Sequence, residues 1–133
     1  MDRRKSLKMT AVAAAGLAMA ATAQEKQDDV MMEGGWQYKE LGYEKHIPVV
    51  DVTRDGDVAA IRVNVLKHPQ TAEHHISTFK IYTAERIEIT RCDLNPLTSV
   101  PEATFFLKVP EGTDLIATTD CNIHGLWMKK FKA

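Results

Sequence analysis

The stretch Ile47-Pro48-Val49-Val50-Asp51-Val52-Thr53-Arg54-Asp55-Gly56-Asp57-Val58-Ala59-Ala60-Ile61-Arg62-Val63-Asn64-Val65 decides the fold class. Two runs rich in Val and Ile flank Arg54-Asp55-Gly56-Asp57, where Asp-Gly supplies the positive-φ turn residues of a β-hairpin. Outward from this hairpin, residues 76–82, 86–92, 104–109 and 115–119 are further short β-rich runs. Turn clusters separate them, at Asp93-Leu94-Asn95-Pro96 and at Pro110-Glu111-Gly112-Thr113. No stretch holds a helical period for three turns, and no internal repeat is present. The expected fold is all-β, with six or seven antiparallel strands in a small sandwich.

The N-terminal segment is an address rather than a part of that fold. Residues 1–23 read as a basic start (Arg3, Arg4, Lys5, Lys8), an Ala-rich apolar run and Ala21-Thr22-Ala23, a small-x-small cleavage site. The run is too short and too mildly apolar to span a bilayer, so it reads as a signal peptide. Arg3-Arg4 followed by Ser6-Leu7-Lys8 resembles a twin-arginine export signal, with Ser6 departing from the hydrophobic position; a general secretory signal is the other reading. The twin-arginine route carries proteins already folded, and this points to a cofactor inserted before export into the periplasm. Residues 24–35, with no period and two closing glycines, read as a flexible tether, which leaves 36–133 as the functional domain.

The whole chain has 133 residues with 17 basic and 18 acidic side chains, a formal net charge of −1. Loss of the leader removes four basic residues and one acidic one, leaving 13 against 17. No basic field exists that could dominate binding to nucleic acid. The mature part carries no membrane segment.

Chemistry-bearing residues fall in three short clusters. Cys121-Asn122-Ile123-His124-Gly125 sets a thiolate and an imidazole three residues apart after an expected strand. His68-Pro69-Gln70-Thr71-Ala72-Glu73-His74-His75 offers further imidazoles, and His46 sits in Glu44-Lys45-His46-Ile47-Pro48. An isolated histidine is more often a surface or core residue than a ligand, but histidines clustered at loop edges favour a metal. Two cysteines in an exported protein commonly form a disulfide, so a Cys92–Cys121 bridge competes with the metal reading. Cys121, His124 and Met128 also nearly spell the ligand loop of a blue-copper electron carrier, completed by one upstream histidine.

Taken together, the Glu44-Lys45-His46-Ile47-Pro48, His68-Pro69-x-Thr71-x-Glu73-His74-His75-Ile76 and Cys121-Asn122-Ile123-His124-Gly125-Leu126-Trp127 segments closely resemble superoxide reductases of the neelaredoxin and desulfoferrodoxin family. The resemblance covers roughly residues 36–127 and is weak between 79 and 115. It implies an immunoglobulin-like β-sandwich holding one mononuclear iron that reduces superoxide to hydrogen peroxide. It implies His46, His68, His74 and His124 as equatorial ligands and Cys121 as the axial one, with His75 a neighbour. Glu44 would take the role of the glutamate that binds the oxidised iron. With only two cysteines, the chain looks like the one-iron form, without the four-cysteine domain of larger desulfoferrodoxins.

The residues support that chemistry. An electron-rich thiolate opposite an open position pushes charge toward a bound oxygen species, and the amides of Ile123 and His124 are candidate N–H···S donors. Superoxide is an anion approaching a negative protein, so Lys45 beside His46 is the natural steering charge and proton-orienting group. A solvated surface pair is the plainer reading of Glu44-Lys45 taken alone. Trp127 and Leu126 are expected to pack under the ligand loop. Lys129, Lys130 and Lys132 form a basic tail near the site, either solubilising or a docking patch for an acidic donor. Rubredoxin serves cytoplasmic relatives, so an exported enzyme needs another donor, a rubredoxin-like protein or a periplasmic cytochrome, and the family often assembles as homo-oligomers. A non-catalytic metal-binding module is the remaining class.

Overall fold

The computed structural model describes residues 30–40 and 46–133. The leader and the first residues of the expected tether lie outside the described residues, and so do Glu44 and Lys45. Among the described residues there are nine strands and no helix: β1 (Val30–Glu33), β2 (Trp36–Glu40), β3 (Val49–Asp55), β4 (Val58–Asn64), β5 (Ile76–Thr83), β6 (Glu88–Asp93), β7 (Glu102–Lys108), β8 (Asp114–Cys121) and β9 (Gly125–Lys132). They form a six-stranded sheet in the order β1-β2-β9-β8-β5-β6 and a three-stranded sheet in the order β3-β4-β7. The all-β, immunoglobulin-like sandwich expected from the sequence is the fold observed.

The β3–β4 hairpin forms as its sequence dictates, with Asp55 opposite Val58 across a two-residue loop. Positive φ falls on Gly56 alone, at 64°. This is the first loop position, where a type II′ turn needs its glycine, and not on the Asp55-Gly56 pair. Alternation along β4 turns Ala59, Ile61 and Val63 inward, all fully buried. They meet Phe79 and Ile81 of β5, Phe105 of β7 and Leu115, Ala117 and Cys121 of β8. Each large apolar side chain so buried contributes about 1.5–3 kcal/mol. Phe79 and Ile81 alternate with Lys80 on β5, which is why one strand serves both the core and the outer face.

Four expectations are corrected. The tether does not extend through residue 35: Glu33-Gly34-Gly35-Trp36 is a hairpin turn with both glycines at positive φ, 57° and 84°, joining β1 to β2. Two adjacent glycines suit a tight hairpin as well as a linker, and only a partner strand distinguishes them. That partner is β9, which pairs with β2 in parallel, Gln37 opposite Trp127, so the sandwich is not wholly antiparallel. The basic tail is strand β9 itself, paired along its length with β8. It starts at the ligand loop and runs away from it, so Lys132 lies about 23 Å along the strand at about 3.3 Å per residue. Lys130 there bonds Glu33 and Lys132 bonds Asp114, both at 2.6 Å. The β5–β6 connection also differs: Arg86, expected within a strand, is the left-handed turn residue at φ 67°.

Candidate metal centre

Three connections at one end of the sandwich bring the clustered residues together. His46 enters just before β3, and its carbonyl accepts a bond of 2.7 Å from the buried Thr119 hydroxyl on β8. Its ring lies flat on Trp127. His68 follows β4 in a turn closed by its N–H to the Val65 carbonyl, 2.8 Å. Its Nδ1 lies 2.7 Å from the Pro69 carbonyl. A carbonyl only accepts, so Nδ1 carries the proton and Nε2 keeps its lone pair. His74 sits in a small loop where its N–H donates to the Thr71 hydroxyl at 3.0 Å and its carbonyl accepts from the Thr71 N–H at 3.0 Å.

The rings of His46, His68, His74 and His124 form a closed circuit. Successive centroids are 4.8, 4.5, 5.0 and 4.8 Å apart, while the His46–His74 diagonal is 6.3 Å. Neighbouring planes cross at 66–74°, so the four rings face one common space edge to face. Cys121 stands on the buried side, at the end of β8. One ligand atom each from His46, His68, His74 and Cys121 lie within 4.8 Å of one another. Nδ1 of His124 is 3.2 Å from Nε2 of His46 and 3.6 Å from the Cys121 sulfur.

Burial is graded across the cluster. His46, His68 and Cys121 are 3, 4 and 4% exposed, His74 is half-buried and His124 is exposed. The thiol side is therefore closed and the His74–His124 side open. Four imidazole nitrogens and one thiolate, with no carboxylate in the group, suit a mononuclear transition metal of iron, copper or zinc type rather than magnesium or calcium. The residues fit the iron that the family resemblance implies.

The surroundings support these side chains. The His124 N–H lies 3.4 Å from the Cys121 sulfur. Of the two expected N–H···S donors, Ile123 is not seen in this role and its side chain is exposed. Asn122, quoted in the motif but given no role there, donates to the Glu73 carbonyl at 2.9 Å and accepts from the His75 N–H at 2.8 Å. It thus brackets His74 from the opposite loop. The His75 ring turns to the Thr71 carbonyl, 2.8 Å away, and stands apart from the cluster. On the outer face, burial pushes the Asp120 carboxyl above its ordinary range while Lys80, 3.8 Å away, opposes this.

Two competing readings are overturned. Cys92 and Cys121 are both free; Cys92 is on β6 and Cys121 on β8, with β5 between them. Met128 does not face the cluster: it packs with Tyr82, Ile116 and Trp36 in a separate apolar group. It follows Trp127 in β9, and the two-residue period of a strand sends consecutive side chains to opposite faces.

The fold and the site define a β-sandwich protein with a mononuclear nitrogen-and-sulfur metal centre at one end. Residues 39–130 match the Desulfoferrodoxin family, and the chain belongs to it. A superoxide reductase of Pyrococcus horikoshii is 40% identical over 97 residues, covering 63% of this chain and 83% of that protein. One of Pyrococcus abyssi is 37% identical over 112 residues, covering 74% and 91%. A solved superoxide reductase in the oxidised state superposes with a TM-score of 0.61 at 30% identity, over 71% of this chain and 92% of that one.

Proposed function

We propose that the chain is a superoxide reductase, adding one electron and two protons to superoxide to give hydrogen peroxide. The observation that carries this is the closed circuit of four imidazoles over a buried cysteine, open to solvent on one side. Iron held there by His46, His68, His74, His124 and Cys121 supplies that electron. Cys121, closed off from water, brings negative charge to the buried side, and the His124 N–H tempers the charge on its sulfur. His46 and His68 are held by Thr119, Trp127 and Pro69, and among the described residues the more exposed His74–His124 edge offers a small anion a way in.

Glu44 and Lys45 complete this reading from the sequence. Lys45, next to His46 in the sequence, would draw the anion towards the centre and orient the water that supplies a proton; Glu44 would be the carboxylate that meets the oxidised iron, as the family resemblance implies. We further infer that residues 1–23 direct export to the periplasm, by the twin-arginine route, and that the donor there is a cytochrome or a rubredoxin-like protein. What supports export is the basic, apolar, small-x-small order of that segment. Association of several copies is the expected state from the family resemblance.

Electron paramagnetic resonance of the oxidised protein tests the centre. A high-spin ferric signal, lost together with the thiolate absorption in Cys121→Ser, is the expected result; a cupric signal at full occupancy would overturn it. Stopped-flow reduction of superoxide tests Lys45: Lys45→Met should slow the reaction most at low ionic strength, where steering is strongest.

A further inference from the structure

Gln37 belongs to none of the motifs quoted from the sequence and precedes residues 39–130, which match the Desulfoferrodoxin family. Its side-chain nitrogen donates to the carbonyl of His124 and to the carbonyl of Leu126, both at 2.9 Å. A carboxamide nitrogen has two hydrogens, and both are committed to the backbone of the ligand loop. Between those carbonyls is Gly125, at φ 82°, and a Cβ there would sit 3.4 Å from the same nitrogen. The loop turns at a residue without a side chain, and Gln37 spans the turn.

His124 is consequently held through both of its peptide groups. Its N–H points at the Cys121 sulfur and its carbonyl is taken by Gln37. Fixing the peptide on each side of a residue fixes its φ and ψ, and with them the direction in which its side chain leaves the chain. His124 is the most exposed member of the cluster.

The strand bearing Gln37 is itself anchored elsewhere. The register of β2 on β9 rests on Gln37 opposite Trp127. At the far side, Arg86 donates to the Glu33 and Gly34 carbonyls, both at 2.8 Å, and lies 4.1 Å from the centroid of Trp36. Arg86 therefore secures the β1–β2 hairpin without touching the ligand loop, so the two anchors are separable by mutation.

We propose that Gln37 is a positioning residue of the metal centre, orienting the His124 imidazole and the His124 N–H···S contact by holding the carbonyls on either side of Gly125. This rests on the iron centre proposed above. The test uses the iron-loaded protein and two readouts besides turnover: the rate of ferrous iron loss to a chelator, and the energy of the thiolate charge-transfer band after oxidation. Gln37→Met keeps the length and removes both donors. It should lose iron on the order of 10-fold faster, the usual scale for outer partners of ligands, and should shift the band.

Gln37→Lys, which can again donate to both carbonyls, should restore both readouts toward wild type. Arg86→Ala should lower the unfolding temperature while leaving iron loss and band unchanged. Gln37→Met with wild-type release and an unshifted band would overturn the proposal, and so would Arg86→Ala reproducing its effects. If Gln37→Met fails to fold, Gln37→Glu, of the same shape but without a donor, makes the same comparison. Wild-type protein that holds no iron with a thiolate band would instead overturn the metal-centre reading, which keeps the two failures distinct.

Discussion

Trp127 lies stacked on His46, ring centroids 4.7 Å apart and planes within 13° of parallel, so the floor of the site and the core of the sandwich are one piece of packing. The indole is 2% exposed and sits one residue beyond Leu126, whose carbonyl Gln37 holds. Removing its ring opens a cavity under His46. Trp127→Ala should cost about 3–5 kcal/mol in chemical denaturation of the metal-free protein, as large-to-small core changes do. A loss near zero would show that the indole is not part of the core.

Asn122 ties the cysteine loop to the histidine loop by bonds to both residues flanking His74. These bonds are exposed, so each is worth only about 1 kcal/mol to folding, and their main effect falls on the direction of His74. Asn122→Ala should retain a near-normal unfolding midpoint without metal yet release iron faster. Asn122→Asp, which still accepts from the His75 N–H but cannot donate to Glu73, should fall between the two.

The Thr119 hydroxyl and the His46 carbonyl meet in a fully buried setting at 2.7 Å. Thr119→Val preserves shape and leaves that carbonyl without its donor. The expected cost is about 1–3 kcal/mol, read from urea denaturation. Thr118, its neighbour on the other face of β8, has no such partner for its hydroxyl, so Thr118→Val should cost less and serves as the comparison.

On the outer face of the small sheet, Arg62 Nε bonds Glu102 at 2.5 Å, and Asp51 approaches the same guanidinium at 3.6 Å. The hydrogen bond from Arg62 holds the Glu102 carboxyl below its ordinary value of 4.5. A lowered folded-state pKa means the unfolded chain takes up the proton first as pH falls. The pair therefore stabilises the fold above pH 4.5, and that contribution is lost as pH drops through the folded value. The difference in melting temperature between wild type and Glu102→Gln should be constant near neutrality and shrink in acid. A difference that persists unchanged into acid would exclude this titration as its source.

The sequence by itself determined the β class, the central hairpin and the chemistry of the site. Val and Ile runs around Asp55-Gly56 leave little choice but a hairpin, and His46, His68, His74, Cys121 and His124 occur in motifs specific enough to name the metal and the family. Strand β9 was hidden because Leu126-Trp127-Met128-Lys129-Lys130 mixes apolar and charged residues without clean alternation, Trp127 facing the core and Met128 a second apolar group. The Gly34-Gly35 turn read as a linker because nothing local announces the strand that receives β2. Only the tertiary structure placed Met128 away from the centre, set the lysines of β9 along a strand that runs away from it and brought Gln37 and Asn122 onto the ligand loops. The physical reason is that ligand chemistry is a property of residue type and short spacing, whereas a brace is a contact between segments distant in sequence. Gln37 and His124 are 87 residues apart, and the sheet order alone makes them neighbours.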